Sequence, residues 1–107
     1  MKYKAKDVSD WNVWRFGVKE DSSHLYIGAD NVEVVPTTMC QNTGMLCKQV
    51  PVYEGDWIAA TALGEAKRYL VVRTSSGFEV RGEEGGGYAL QPLLNEPTSH
   101  IDGNIFD

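Results

Sequence analysis

The sequence predicts an all-β fold, a small barrel-like domain or pair of packed sheets made of short antiparallel strands. Three observations carry this. Eleven glycines in 107 residues place turns too often for long helices. Short runs alternate apolar and polar residues with the period of two that marks a half-buried strand. No stretch sustains a 3.6-residue period, and neither heptads nor internal repeats occur. A chain of this length reads as one domain, residues 1–107, large enough for one modest core.

The elements follow in order. Across Trp11 to Val18, Trp14, Phe16 and Val18 alternate with Val13, Arg15 and Gly17. Lys19 to Ser23 is a polar turn leading to Leu25–Ile27, a hairpin partner. Gly28 to Asn31 breaks the chain again, and Val32 to Val35 is a β-branched run closed by Pro36. Thr37 to Lys48, rich in Thr, Asn and Gly, reads as a loop with little fixed pairing. Pro51 marks a strand edge or start, because proline donates nothing to a ladder.

The second half carries a three-stranded meander. Asp56 to Ala62 is its first strand, turned at Leu63-Gly64-Glu65. Ala66 to Thr74 returns, Ser75-Ser76-Gly77 offers glycine for a short hairpin loop, and Phe78 and Val80 alternate with Glu79 and Arg81. Thr61 to Tyr69 holds good helix formers, but it is short, contains Gly64 and lies between β-rich segments. Gly82 to Gly87 reads as a flexible loop, Tyr88 to Leu94 as a short strand or turn, and His100 to Phe106 as a closing strand. The core candidates are Trp14, Phe16, Ile27, Val34, Ile58, Leu70, Val72, Phe78, Val80, Ile101 and Ile105.

Ten basic against fifteen acidic residues give a net charge of −5, which disfavours nucleic-acid binding through phosphate contacts. Lys67, Arg68 and Arg73 are the nearest thing to a basic patch, yet alternation along one strand divides them between two faces. No apolar run has the roughly 20 residues that span a bilayer, and the lysines near the start precede no apolar signal-peptide segment. The expectation is a cytoplasmic protein with Cys40 and Cys47 as thiols.

Chemical constellations are weak. Gly82 to Tyr88, Gly-Glu-Glu-Gly-Gly-Gly-Tyr, lacks the Gly-Lys-Ser/Thr and helix of a phosphate loop, and Glu83 and Glu84 repel phosphate. His24, Cys40, Cys47 and His100 match a zinc site in number only, because structural sites pair ligands two to four residues apart. The same residues lack the setting of a nucleophilic cysteine. Glu54 and Asp56 flank Gly55; they read as a turn in which Gly55 takes a positive φ and Asp56 accepts backbone hydrogen bonds. Trp57 and Ile58 then leave on opposite faces. No catalytic residue, metal or cofactor is expected.

Val32 to Ile58, VEVVPTTMCQNTGMLCKQVPVYEGDWI, resembles the YopX family of small proteins encoded mainly by bacteriophages and prophages. Pro36, Gln41, Thr43, Gly44, Tyr53, Glu54, Gly55, Asp56 and Ile58 fall at the places of its Gln-Tyr-Thr-Gly-Leu and Ile-Tyr-Glu-Gly-Asp-Ile-Val segments. The likeness extends to KYKAKD with WNVWRFG, to YLVVRTSSGFEV and to HIDGNIF, where Gly103 and Asn104 match a closing Ile-Gly-Asn-Ile-Tyr. In place of the family's Asp-x-Asn-Gly turn this chain has Cys47-Lys48-Gln49, one residue shorter. The resemblance implies a barrel-like all-β fold, a phage or prophage origin, and no catalytic residue or cofactor. Residues of the matched kinds (Gly, Tyr, Asp and apolar side chains) build turns and cores.

Two functional classes are expected from this. One is a non-catalytic protein-interaction module that binds a host or phage protein, or itself as a homo-oligomer, through a strand edge or a surface around Trp11 and Tyr26. Trp11 could equally cap a sheet edge. The other is a small β-barrel that binds single-stranded nucleic acid, with Tyr3, Trp11, Tyr69 and Arg73 as its contacts.

Overall fold

The computed structural model describes residues 3–16, 18–20, 25–27, 32–62, 65–83 and 85–107. Its strands pair antiparallel throughout, and the class is all-β, with a sheet curled as half a barrel. The chain forms two compact units, Met1–Asn42 and Thr43–Asp107.

In the first unit β1 (Tyr3–Lys6) pairs with β2 (Trp14–Phe16), Lys4 opposite Phe16 and Lys6 opposite Trp14. A three-stranded sheet runs β3 (Val18–Glu20), β4 (Leu25–Ile27), β5 (Val32–Glu33), which is the hairpin expected of Leu25–Ile27. Of the turn expected from Lys19 to Ser23, Lys19 and Glu20 are strand instead, paired with Tyr26 and Leu25; residues 21–23, and the break expected at 28–31, lie outside the described residues. Ala5 and Val34 are buried together, with Tyr3 and Met39 packed on them. A 3-10 turn, Pro36–Thr38, sets Thr38 beneath β1: its hydroxyl accepts from the Lys6 N–H at 2.9 Å and donates to the Val35 carbonyl at 2.7 Å.

Two further expectations fail in this unit. Trp11 and Asn12 form a turn, not a strand. Two aspartates stabilise that turn: Asp7 accepts the Ser9 N–H at 2.7 Å and Asp10 the Asn12 N–H at 3.0 Å, an Asx arrangement that competes with strand hydrogen bonding. Phe16, assigned to the core, is 57 % exposed, while Trp14 is half-buried and Val34 is fully buried as expected. The side chain of Ile27 lies outside the described residues.

The segment read as a loop is β6 (Cys40–Cys47), eight residues long. Its first residues pair with β1, Tyr3 opposite Gln41 and Lys4 opposite Cys40; its later residues lie beside β7 (Val50–Tyr53) in the second unit. Pro51 sits in β7, which ends its sheet, as proline requires.

The second unit holds the meander. β8 (Asp56–Ala62), β9 (Glu65–Thr74) and β10 (Gly77–Gly82) are consecutive neighbours, flanked by β11 (Gly87–Ala89) and β12 (His100–Asn104) in the order β11-β10-β9-β8-β12. The stretch of helix formers from Thr61 to Tyr69 is therefore strand on both sides of residues 63–64, which are not described. Tyr88 to Leu94 divides: Gly87–Ala89 is strand, and Leu90–Leu94 is a single helical turn, α1. Pro92 fits there because the first-turn N–H groups have no intrahelical partner to lose. Leu90 and Leu94, four apart and on one face, are both buried.

The core of this unit joins Cys47, Val52, Ile58, Val71, Val80, Leu90 and Leu94, with Tyr69, Phe78 and Ile101 packed against it. Ile58 is fully buried and Trp57 half-buried on the other face, as expected of neighbours on a strand. Leu70 and Val72 were assigned to the core, but Val71 between them is the buried residue. Pairing decides this: Val71 lies opposite Val80, and Leu70 opposite Trp57 and Arg81. Ile105 is likewise no core residue, at 47 % exposure; the chain turns at β12's end and carries it outward.

Candidate functional site

The Tyr-Glu-Gly-Asp turn is a hydrogen-bonded node. Gly55 has a φ of +85°, which only glycine adopts without strain. Its N–H donates to the Val71 carbonyl at 2.8 Å, and its carbonyl accepts from the Ile105 N–H at 3.0 Å. Buried Asp56 accepts from the Tyr53 N–H at 2.8 Å on one carboxylate oxygen and from the Asn104 side-chain amide at 2.8 Å on the other. That amide also donates to the Glu54 carbonyl at 3.4 Å, while the Asn104 amide oxygen accepts from the Phe106 N–H at 3.0 Å. Gly103, at φ +94°, sits at the register shift that brings Asn104 opposite Asp56.

Six of the eight motif residues thus meet where the turn from β7 to β8, Tyr53 to Asp56, lies against Gly103 and Asn104 of β12. Thr43 and Gly44 belong to β6 instead. The Thr43 hydroxyl donates to the Val52 carbonyl at 2.8 Å, and Gly44 has a φ of +79°. Both oxygens of Asp56 are engaged by structural donors, so this carboxylate is occupied in holding the turn. Glu54 reaches Arg73 at 3.6 Å.

Other singled-out groups are dispersed. Cys40 and Cys47 are buried thiols; Cys40 faces the Thr38 carbonyl at 3.3 Å and Cys47 the Ser99 hydroxyl at 3.8 Å. His100 is exposed, and His24 lies outside the described residues. Among the described residues no three His, Cys, Asp or Glu side chains gather as metal ligands. Trp11 is 49 % exposed in the turn between β1 and β2. Tyr26 is placed by the backbone of β4, its side chain outside the described residues. Of the nucleic-acid contacts, Tyr3 packs on the first unit's core and Arg73 pairs with Glu54. Tyr3 and Trp11 belong to one unit, Tyr69 and Arg73 to the other.

Two lysines of β1 share one tryptophan. Lys4 and Lys6 each place Nζ 4.3 Å from the Trp14 ring centroid, and Lys6 lies 5.9 Å from that of Trp11, a cation–π arrangement. Both lysines are nearly buried, so their stems pack and only their heads approach the rings. Nearby, Asp7 takes the Arg15 guanidinium at 2.8 and 2.9 Å. The Ser9 backbone N–H, and then Arg15, hold its carboxyl below the ordinary value of 3.8.

Among the described residues of the second unit lies a cleft that the sequence does not announce. It has a volume of about 430 Å³ and is lined by Lys67, Arg68 and Tyr69 of β9 and by Gly82, Glu83 and Tyr88 around the β10–β11 hairpin. The Tyr69 and Tyr88 rings meet edge to face, centroids 5.9 Å apart and planes at 88°. Arg68 leans away: its guanidinium lies 4.4 Å from the Trp57 ring centroid and 3.3 Å from Asp102. The signal is present as the run Lys67-Arg68-Tyr69 and as Tyr88 directly after the glycines, but only the β9–β10–β11 register brings them together. Aromatic rings, a lysine and open backbone suit binding.

Compared with known proteins, the chain matches no family model, no curated protein and no solved structure.

Proposed function

We propose that this chain is a non-catalytic protein-interaction module of the YopX kind, of phage or prophage origin, acting in the bacterial cytoplasm on a host or phage protein. The observation that supports this reading is the exposure of three large apolar side chains within nine residues, Val8 at 53 %, Trp11 at 49 % and Phe16 at 57 %. Exposed apolar groups gathered in one short stretch mark partner surfaces, and tryptophan supplies much area at small entropic cost. The test is affinity capture from prophage-bearing cells with the wild-type chain and with Trp11→Ala and Phe16→Ala. A specific partner retained by the first and lost about tenfold or more by the others supports the reading. Capture indifferent to both substitutions removes it. Light scattering of the same samples tests the homo-oligomer.

A second reading, binding of single-stranded nucleic acid, is favoured by one observation of its own: the Tyr69–Tyr88 pair beside Lys67 in the cleft.

A further inference from the structure

We propose that the outer face of the meander docks a second copy of this chain about a two-fold axis parallel to β8 and β9. This goes beyond the readings above, since it uses neither the Trp11 and Phe16 surface nor the cleft. The face follows from alternation along each strand. Ile58, Val71 and Val80 are buried on the inner side of β8, β9 and β10, and Ile101 of β12 packs against the same core. Their neighbours Trp57, Leu70, Arg81 and Asp102 therefore point outward. Trp57 lies opposite Leu70, and Leu70 opposite Arg81. Ile101 lies opposite Ile58, and the Arg68 guanidinium joins Asp102, at 3.3 Å, to the Trp57 ring, at 4.4 Å from its centroid. One row thus crosses four strands in the order Asp102, Trp57, Leu70, Arg81. Its centre is two large apolar side chains, both half-buried, and its ends carry opposite charges.

The order of that row selects its occupant. Take an axis that lies between two such faces, along the strands and midway between β8 and β9. A half-turn about it reverses the row and keeps its centre in place. Trp57 then meets the partner's Leu70, Asp102 meets the partner's Arg81, and symmetry repeats both contacts. About an axis along the row, Asp102 would instead face its own copy and Arg81 its own, and like charges opposed across an interface are costly. The first axis also aligns the strands of the two sheets, the common geometry for sheets stacked about 10 Å apart. The flanking charges extend the match. Arg68 stands 3.3 Å from Asp102, and Glu79 stands 3.3 Å from Arg81. Across the contact the order becomes Arg68, Asp102, the partner's Arg81, the partner's Glu79, so the signs alternate without a break. An isolated exposed pair contributes little, but a network of such charges contributes more.

Size sets the strength. Five strands about 4.8 Å apart, with three outward rows about 7 Å apart, give roughly 400 Å² of contact per copy. That is well below the roughly 800 Å² per partner of a standard interface. The dimer is accordingly weak, with a dissociation constant on the order of 100 μM.

The test is sedimentation equilibrium of the full chain from about 5 μM to about 1 mM, a range that brackets that constant. A monomer–dimer equilibrium is expected, weakening as salt rises. Arg81→Asp and Asp102→Arg each oppose like charges across the axis and weaken the dimer about tenfold or more. Mixing these two variants in equal amounts restores association, because one chain then presents two cations and the other two carboxylates. Arg81 and Asp102 side chains are 61 % and 49 % exposed, so the reversals leave the fold intact, which circular dichroism checks. Arg81→Gln and Asp102→Asn, milder for the fold, each weaken the dimer about threefold. Trp11→Ala and Phe16→Ala leave it unchanged. A chain that stays monomeric throughout the range, charge reversals without effect, or a mixture that fails to recover overturns the proposal. A monomer that still captures a partner from cells keeps the interaction-module reading and overturns this one. Self-association lost with Trp11→Ala but not with Arg81→Asp belongs to the other surface and overturns it as well.

Discussion

Gly55 shows how one residue can be fixed by two independent constraints. Its φ of +85° excludes a relaxed side chain, and an added Cβ would stand 3.3 Å from the Asn104 amide nitrogen and from Ile105. Gly55→Val therefore strains the backbone and presses on the amide that serves Asp56. A cost of about 3 kcal/mol is expected, which thermal melts would read as a fall in Tm of more than about 10 °C. Glu54→Gln weakens a long, partly exposed contact with Arg73 and should stay within about 0.5 kcal/mol; the reverse order in the melts would overturn the structural role of the turn. Asp7 makes a separate, pH-dependent contribution. Its carboxyl is held below 3.8 by the Ser9 N–H and by Arg15, so the folded state binds this proton less readily than the unfolded chain. The stabilisation is complete above the unfolded pKa and disappears as pH falls through the lower folded one. Between neutrality and acid, wild type should lose more stability than Asp7→Asn, and parallel acid-denaturation curves would contradict that.

The β6–β7 hairpin poses its problem one level up. Lys48 and Gln49 form a two-residue connection with φ of +48° and +70°, the left-handed pair that suits the twist of a hairpin and is ordinarily filled by Asn-Gly. Lys48 is compensated, because its Nζ donates to the Glu96 carbonyl at 2.8 Å and to Ser99 at 3.3 Å. No comparable side-chain bond is seen for Gln49, and it lies exposed at the same unfavourable φ. Gln49→Gly should accordingly stabilise the protein by about 1 kcal/mol, measured by urea unfolding; a destabilisation would mean that the turn is held by more than its backbone. The same hairpin shows where sequence reading stops. Asp56–Ala62 was legible because its Gly-Asp start and its length are local signals. Cys40–Cys47 was not, because Gln41, Asn42, Thr43 and Gly44 show no apolar alternation and only Thr43 is β-branched, and the strand's first residues are fixed by β1, distant in the chain. Leu70-Val71-Val72 announced a strand without its facing: a continuous apolar run fits either parity, and a shift of one residue exchanges the faces. Leu90–Leu94 is a single turn, too short to show a helical period. For the cleft, Tyr69 and Tyr88 were visible as residues, but their meeting depends on the β9–β10–β11 register.

At the scale of the whole chain, the described cores of the two units differ in depth. Seven side chains are buried together in the second unit, Ile58, Val52 and Val80 completely, and they are drawn from β6, β7, β8, β9, β10 and α1. In the first, the buried pair is Ala5 and Val34, with Tyr3 and Met39 against it. Apolar burial is the main favourable contribution to folding, at roughly 1.5–3 kcal/mol for each large side chain. Protection should follow that difference. In native-state hydrogen exchange, the amides of β8, β9 and β10 are expected to open only with global unfolding, and those of β1 and β2 through openings a few kcal/mol lower. Core substitutions separate the two behaviours. Ile58→Ala leaves a cavity beneath the meander and should lower the protection of β8 to β10 by about 2–5 kcal/mol. Val34→Ala removes most of the smaller core and should lower that of β1 by about 2 kcal/mol, with the β9 amides unchanged. If Val34→Ala reduces β9 protection by as much as it reduces that of β1, the chain opens as one cooperative body, and the first unit draws its stability from more than its own core.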